Sequence, residues 1–173
     1  MSRKSENGQK QSLTILDKDY LEWVKQLSSR YKSYLIKASV HINSEQLKFY
    51  YSVGKDIFEK QIDNKYGTKF YATLSRDLRK LLPDAEGLTE GNLRYAKRFY
   101  QLYSDPKKLF PQVAEELYPQ IFPQVAEELP KVPWGHHRLL IDKFSDNPPK
   151  ALFFVGQIVE NGWSRSSLMN WID

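Results

Sequence analysis

At 173 residues the chain can build one sizeable core but not two comfortable ones. It has no cysteine, which excludes disulfides and thiolate metal sites, and its formal net charge of +5 permits an anionic partner without requiring one. No apolar run approaches the ~18 residues of a membrane span and the N-terminus has no apolar signal core, so we expect a cytoplasmic protein without a membrane partner. Aromatic residues make up 14% of the chain, enough bulk to predict a packed core.

Residues 1–14 are polar and charged, without apolar periodicity, and read as a disordered tail. Residues 15–173 read as a single helical domain. From Asp17, which with Asp19 suits a helix start, Tyr20, Trp23 or Val24, Leu27, Tyr31, Tyr34 or Leu35, Ala38 and Ile42 recur at helical spacing. The pattern resumes through Leu47, Tyr50 or Tyr51, Gly54, Ile57 or Phe58 and Gln61, and around His41–Ser44 a bend and one long helix are both compatible with it. Trp23 and the Tyr pair have the chemistry of a base-stacking platform, but an aromatic stripe at this spacing reads as core. Asn64 and Gly67 then mark a short turn.

The stretch 70–103 organises the rest. Its first helix places Phe70, Leu74, Leu78 and Leu81 or Leu82 on one face, Pro83 stops it, and Gly87 permits a sharp reversal. Thr89 is a natural N-cap for the next helix, with Glu90 at the positive end of its dipole. In that helix Leu93, Ala96, Phe99 or Tyr100, and Tyr103 form an apolar stripe to pack on the first helix, while Asn92, Arg94, Lys97, Arg98 and Gln101 point elsewhere. This is the sequence shape of a helix-turn-helix. Asn and Gln pair with adenine edges, Arg with guanine, and Lys or Arg with phosphates, a role open to Arg76, Arg79, Lys80 and Thr89 as well. The competing reading is an ordinary helical hairpin with a solvated basic face.

Between residues 109 and 132 the octapeptide FPQVAEEL occurs twice, at Phe110 and at Phe122. Two copies are too few for a solenoid, so the segment reads as a duplication within a surface connection. Each copy is expected to form a helical turn or two after its proline, with only one occupying the original packing site. Pro133-Trp134-Gly135 introduces a helix that turns Leu139, Leu140 and Phe144 inward. Adjacent His136 and His137 point ~100° apart on a helix, unlike the i, i+4 pairs that share a metal ion, so no metal site is expected. A further helix starts at Pro148 and Pro149, buries Ala151, Phe154, Val155, Ile158 and Val159, and ends at Gly162. Ser164 caps a last helix. This turn resembles a second helix-turn-helix, with Ser164, Arg165, Ser166, Ser167 and Asn170 outward. No stretch alternates like a strand, so the expected class is all-α, a multi-helix domain with long N-terminal amphipathic helices, a helix-turn-helix-like core and little or no sheet.

Five phrases occur in a characteristic order: YYSVGKDI at 50–57, LSRDLRKLLP at 74–83, GLTEGNLRYAKRFY at 87–100, PWGHHRLL at 133–140 and ENGWSRSSL at 160–168. Together they resemble the YhcG-type N-terminal domain, a bacterial domain of unknown function, over about residues 18–173. The doubled FPQVAEEL departs from that pattern. The resemblance implies a helical part that binds DNA or mediates assembly, ahead of a nuclease domain of the PD-(D/E)xK class. Such nucleases hold Mg²⁺ between an acidic residue and a Glu-x-Lys. No Glu here is followed two residues later by Lys, and no phosphate-binding loop, Ser-His-Asp order or HExxH is present, so we expect no catalysis, cofactor or metal. The expected function is DNA targeting, with double-stranded DNA and a nuclease domain in cis or in trans as partners. The alternative is an assembly module whose long helices form a homodimer or dock the nuclease domain.

Overall fold

The computed structural model describes residues 18–173, without the side chains at 21, 23, 28, 29 and 31–42. The expectations for the 1–14 tail, Asp17, Trp23, Tyr31, Tyr34, Leu35, Ala38 and Ile42 lie outside what it describes. Among the described residues every regular element is helical: α1 (Lys18–Glu59), α2 (Ile62–Tyr66), α3 (Phe70–Leu81), α4 (Glu90–Tyr103), α5 (Pro106–Leu109), α6 (Tyr118–Glu128), α7 (Trp134–Phe144), α8 (Pro148–Asn161) and α9 (Arg165–Ile172), with 3-10 turns at Glu115–Leu117 and Leu129–Lys131. The fold is all-α. The helix runs through His41–Ser44 without a break.

The chain divides into two compact units, Met1–Ser39 and Val40–Asp173. In the first, Tyr20, Val24 and Leu27 are half-buried while Lys18, Asp19, Glu22, Lys25 and Arg30 are exposed, the two-faced pattern of an amphipathic helix.

The second unit is built around α4. Leu93, Ala96, Phe99 and Tyr103 are essentially inaccessible. The expected packing of α4 on α3 occurs, and α7 and α8 pack on it too. Leu47, Tyr50 and Ile57 of α1 are buried as the periodicity predicts. Gly54 meets α4 so closely that an added Cβ would land on the Ala96 carbonyl oxygen. The Tyr pair belongs to the core: Tyr50 is buried, and Tyr51 sits edge-on to Phe99 and Tyr100 at 5.9 and 5.0 Å.

Four local expectations change. Gln61 is exposed and adopts a left-handed conformation (φ 54°), which ends the stripe of α1 instead of extending it. The turn at Asn64 contains a one-turn helix, α2, closed by Gly67 at φ 81°. In α3 the buried positions are Tyr71 and Ser75, with Phe70, Leu74 and Leu78 packed beside them. Leu81 and Leu82 instead stay 79% and 49% exposed, because they fall at the helix end beyond the reach of α4. The second FPQVAEEL copy runs through α6, which begins at Tyr118, ahead of its own Pro123, and its Leu129 opens the 3-10 turn that follows. There Val125 and Leu129 are buried, whereas the first copy forms a turn and the short Glu115–Leu117 spiral, with Leu117 44% exposed. As expected, one copy takes the packing site.

Candidate nucleic-acid interface

The α3–α4 connection has the local chemistry read from the sequence. Gly87 takes φ 81°, and the Ser75 hydroxyl donates to the Leu88 carbonyl oxygen at 2.6 Å, fastening the turn to α3. Thr89 caps α4, its hydroxyl accepting the Asn92 N–H at 3.2 Å. Beside this cap lies a shallow groove of about 430 Å³ lined by Arg76, Arg79, Lys80, Thr89 and Glu90. Four of the nine residues assigned to this interface from the sequence therefore converge on one surface. Arg79 and Lys80 occupy the last turn of α3, are exposed, and have no carboxylate partner among the described residues. Arg76 contacts the adjacent Asp77 at 3.2 Å, an exposed pair of little energetic weight. Three cations next to the positive end of the α4 dipole form an anion-attracting surface of the kind that meets phosphates.

On α4 itself the outward set divides. Gln101 is exposed. Arg94 is also exposed, donating to Glu90 at 2.8 Å with its guanidinium over the Tyr71 ring at 4.5 Å. The other three do not face freely outward, because neighbouring elements cover their side of the helix. Asn92 donates to the Gly87 carbonyl oxygen at 3.2 Å and accepts the Trp134 indole N–H at 2.9 Å. Lys97 forms a 2.6 Å ion pair with Asp63, both side chains being about four-fifths covered. Arg98 pairs with Asp142 at 2.8 Å and donates to the Ile141 carbonyl oxygen at 3.3 Å. Asp63 also accepts from the Tyr71 hydroxyl at 3.0 Å. Burial pushes its carboxyl pKa up, but the hydrogen bonds from Lys97 and Tyr71 and the Lys97 charge outweigh this and hold it below the usual value. Burial and the bond to Asp63 push the Tyr71 phenol up.

The sequence reading missed these partners. Asp63 sits in a segment read as a turn, and Trp134 and Asp142 lie more than forty residues from their partners in sequence, so no local spacing reveals them. The α8–α9 connection follows its own prediction. Gly162 is left-handed (φ 63°), and Ser164 caps α9 by accepting the Ser167 N–H at 3.1 Å. Arg165, Ser166 and Asn170 are exposed, and Ser167 is half-buried beside the cap. An unanticipated feature stands next to them: Trp163 and Trp171 stack at 5.4 Å with planes 8° apart, Trp171 being 66% exposed.

The two histidines of α7 are turned to carbonyl oxygens. His136 Nε2 lies 2.9 Å from that of Trp163, and His137 Nε2 lies 2.8 Å from that of Leu129. Burial depresses the His137 pKa to about 4, so the ring is neutral, and the carbonyl acceptor places its proton on Nε2. Among the described residues no group of three His, Cys, Asp or Glu could hold a metal ion, and no helix is long and apolar enough to cross a membrane.

Neither the curated proteins nor the solved structures contain a match to this chain. Residues 26–173 match the DUF1016 N-terminal domain, the same family as the YhcG-type domain that the five phrases resemble, and the chain belongs to that family.

Proposed function

We propose that this domain is the DNA-targeting part of a restriction-endonuclease-like nuclease and has no catalytic residues of its own. The observation that carries the reading is the groove beside the α4 cap, where Arg79 and Lys80 stand exposed and unpaired next to Arg76 and Thr89. These groups would take duplex phosphates, leaving Arg94 and Gln101, the exposed long polar side chains of α4, for base edges. The half-buried amide and ammonium of Asn92 and Lys97 support the position of α4 instead of contacting DNA directly. The α9 set of Ser164, Arg165, Ser167 and Asn170 forms a second contact surface in this reading.

The test is binding of a labelled random-sequence duplex across a salt series. Affinity should fall steeply with salt, and Arg79→Ala/Lys80→Ala should flatten the slope by about two, since each phosphate contact contributes about 0.9. Melting temperature should change little, because neither side chain has an ion-pair partner among the described residues and only their weak interaction with the α3 dipole is lost. An unchanged slope in the double variant counts against the groove, and absence of binding near ~50 mM salt counts against DNA targeting altogether. The second reading, an assembly module, is favoured by the separate unit Met1–Ser39, whose described helix sets the half-buried Tyr20, Val24 and Leu27 against an exposed face of mixed charge, the pattern of a helix that packs on a partner. A monomer mass that stays constant as concentration rises would exclude self-assembly.

A further inference from the structure

Away from the basic groove, α5, the end of α6, and α8 enclose an open groove of about 560 Å³. Phe110, Leu152 and Phe153 give it an apolar lining, and Phe153 is 59% exposed although its neighbour Phe154 is buried. Gly156 lies midway along α8, and a Cβ added there meets nothing within 4 Å, so the groove is open down to the helix backbone at that point. Among the described residues the only charged side chains lining it are Glu128 and Glu160, and neither has an ion-pair partner there. An exposed apolar surface rimmed by unpaired charge of one sign is the signature of an interaction site. The lining stretch of α8, from Pro149 to Glu160, is roughly 17 Å long at the rise of an α-helix, which corresponds to about three turns.

We propose that this groove docks an amphipathic helix of another protein, about three turns long, with apolar residues at i, i+3, i+4 and i+7 and Lys or Arg on both flanks. The apolar residues cover Phe110, Leu152 and Phe153, the flanking cations meet Glu128 and Glu160, and Gly156 lets the incoming helix approach closely. The charge of the rim selects this partner over an acidic one.

The experiment uses the whole chain and a fluorescent three-turn peptide of that pattern with Lys flanks, alongside a twin with Glu flanks, followed by anisotropy. The Lys-flanked peptide should bind, and the twin at least about tenfold more weakly. Gly156→Leu should weaken binding at least about tenfold by filling the groove, and Glu160→Lys should weaken the Lys-flanked peptide while improving the twin. The Gly156→Leu protein should melt no lower than the original, since leucine is the better helix former and enters open space. Equal binding to Gly156→Leu, or equal affinity for the two peptides, overturns the proposal. Self-association that Gly156→Leu abolishes also overturns it, by making the occupant a second copy of this chain.

Discussion

The indole N–H of Trp134 donates to the side-chain oxygen of Asn92 at 2.9 Å, and the amide nitrogen of the same Asn92 donates to the Gly87 carbonyl oxygen at 3.2 Å. The Tyr50 hydroxyl reaches that carbonyl at 2.8 Å, and the Tyr50 ring stacks on Trp134 at 4.4 Å. One amide thus ties the start of α7 to the turn that precedes α4, on a floor supplied by α1. Asn92→Ala leaves the Trp134 N–H unpaired in a half-buried site and should cost about 1–3 kcal/mol of unfolding free energy, read by urea denaturation. Any loss of DNA binding in that variant should track its loss of folding, unlike the loss in the Arg79/Lys80 variant.

Gly54 offers a test whose sign separates propensity from packing. Glycine-to-alanine in a helix interior ordinarily gains up to about 1 kcal/mol. Here the new methyl meets the Ala96 carbonyl, a backbone atom that cannot swing aside. Gly54→Ala should therefore destabilise by about 3 kcal/mol, with the denaturant slope unchanged.

The duplicated octapeptide supplies its own control. Leu129→Ala removes a buried side chain and should cost about 2–4 kcal/mol, while Leu117→Ala, at the equivalent place in the first copy, should stay within about 0.5 kcal/mol. Equal effects would mean that the two copies are interchangeable in the packing site.

His137 and Asp63 both contribute to stability on the acid side. His137 has a folded pKa of about 4, below its ordinary value near 6.5, so the unfolded chain takes up the proton first. Its contribution is complete above about pH 6.5 and is lost as pH falls toward 4, on the order of 3 kcal/mol by linkage. A charged ring there would also place an unpaired Nδ1–H against Phe99 and Tyr103. His137→Phe should flatten the stability profile between those limits.

The Asp63 pKa is likewise lowered, and its contribution is present above the ordinary carboxylate value near 3.9 and disappears below it. Asp63→Asn should remove that second, more acidic step. Lys97→Ala should cost about 1–2 kcal/mol at neutral pH, between the values for exposed and buried pairs. Guanidinium titrations at several pH values read all three variants.

Local patterns in the sequence determined the helices and most of their ends. Periodicity marked Leu93, Ala96, Phe99 and Tyr103 as one face, and Thr89, Gly162 and Ser164 sit where their capping chemistry requires. These features depend on residues three or four apart, which is the range over which a helix couples its own side chains. Tertiary structure alone decided which polar residues of α4 remain available. Arg94 and Lys97 look alike in the sequence, yet only Lys97 meets an acid from α2, and Asn92 is taken up by a tryptophan forty-two residues away. It also decided between the two FPQVAEEL copies, because identical local propensities cannot tell them apart. Phe110 of the first copy packs at the edge of the core, but only the second copy buries side chains fully there, with Val125 and Leu129 enclosed and His137 bound to the Leu129 carbonyl oxygen.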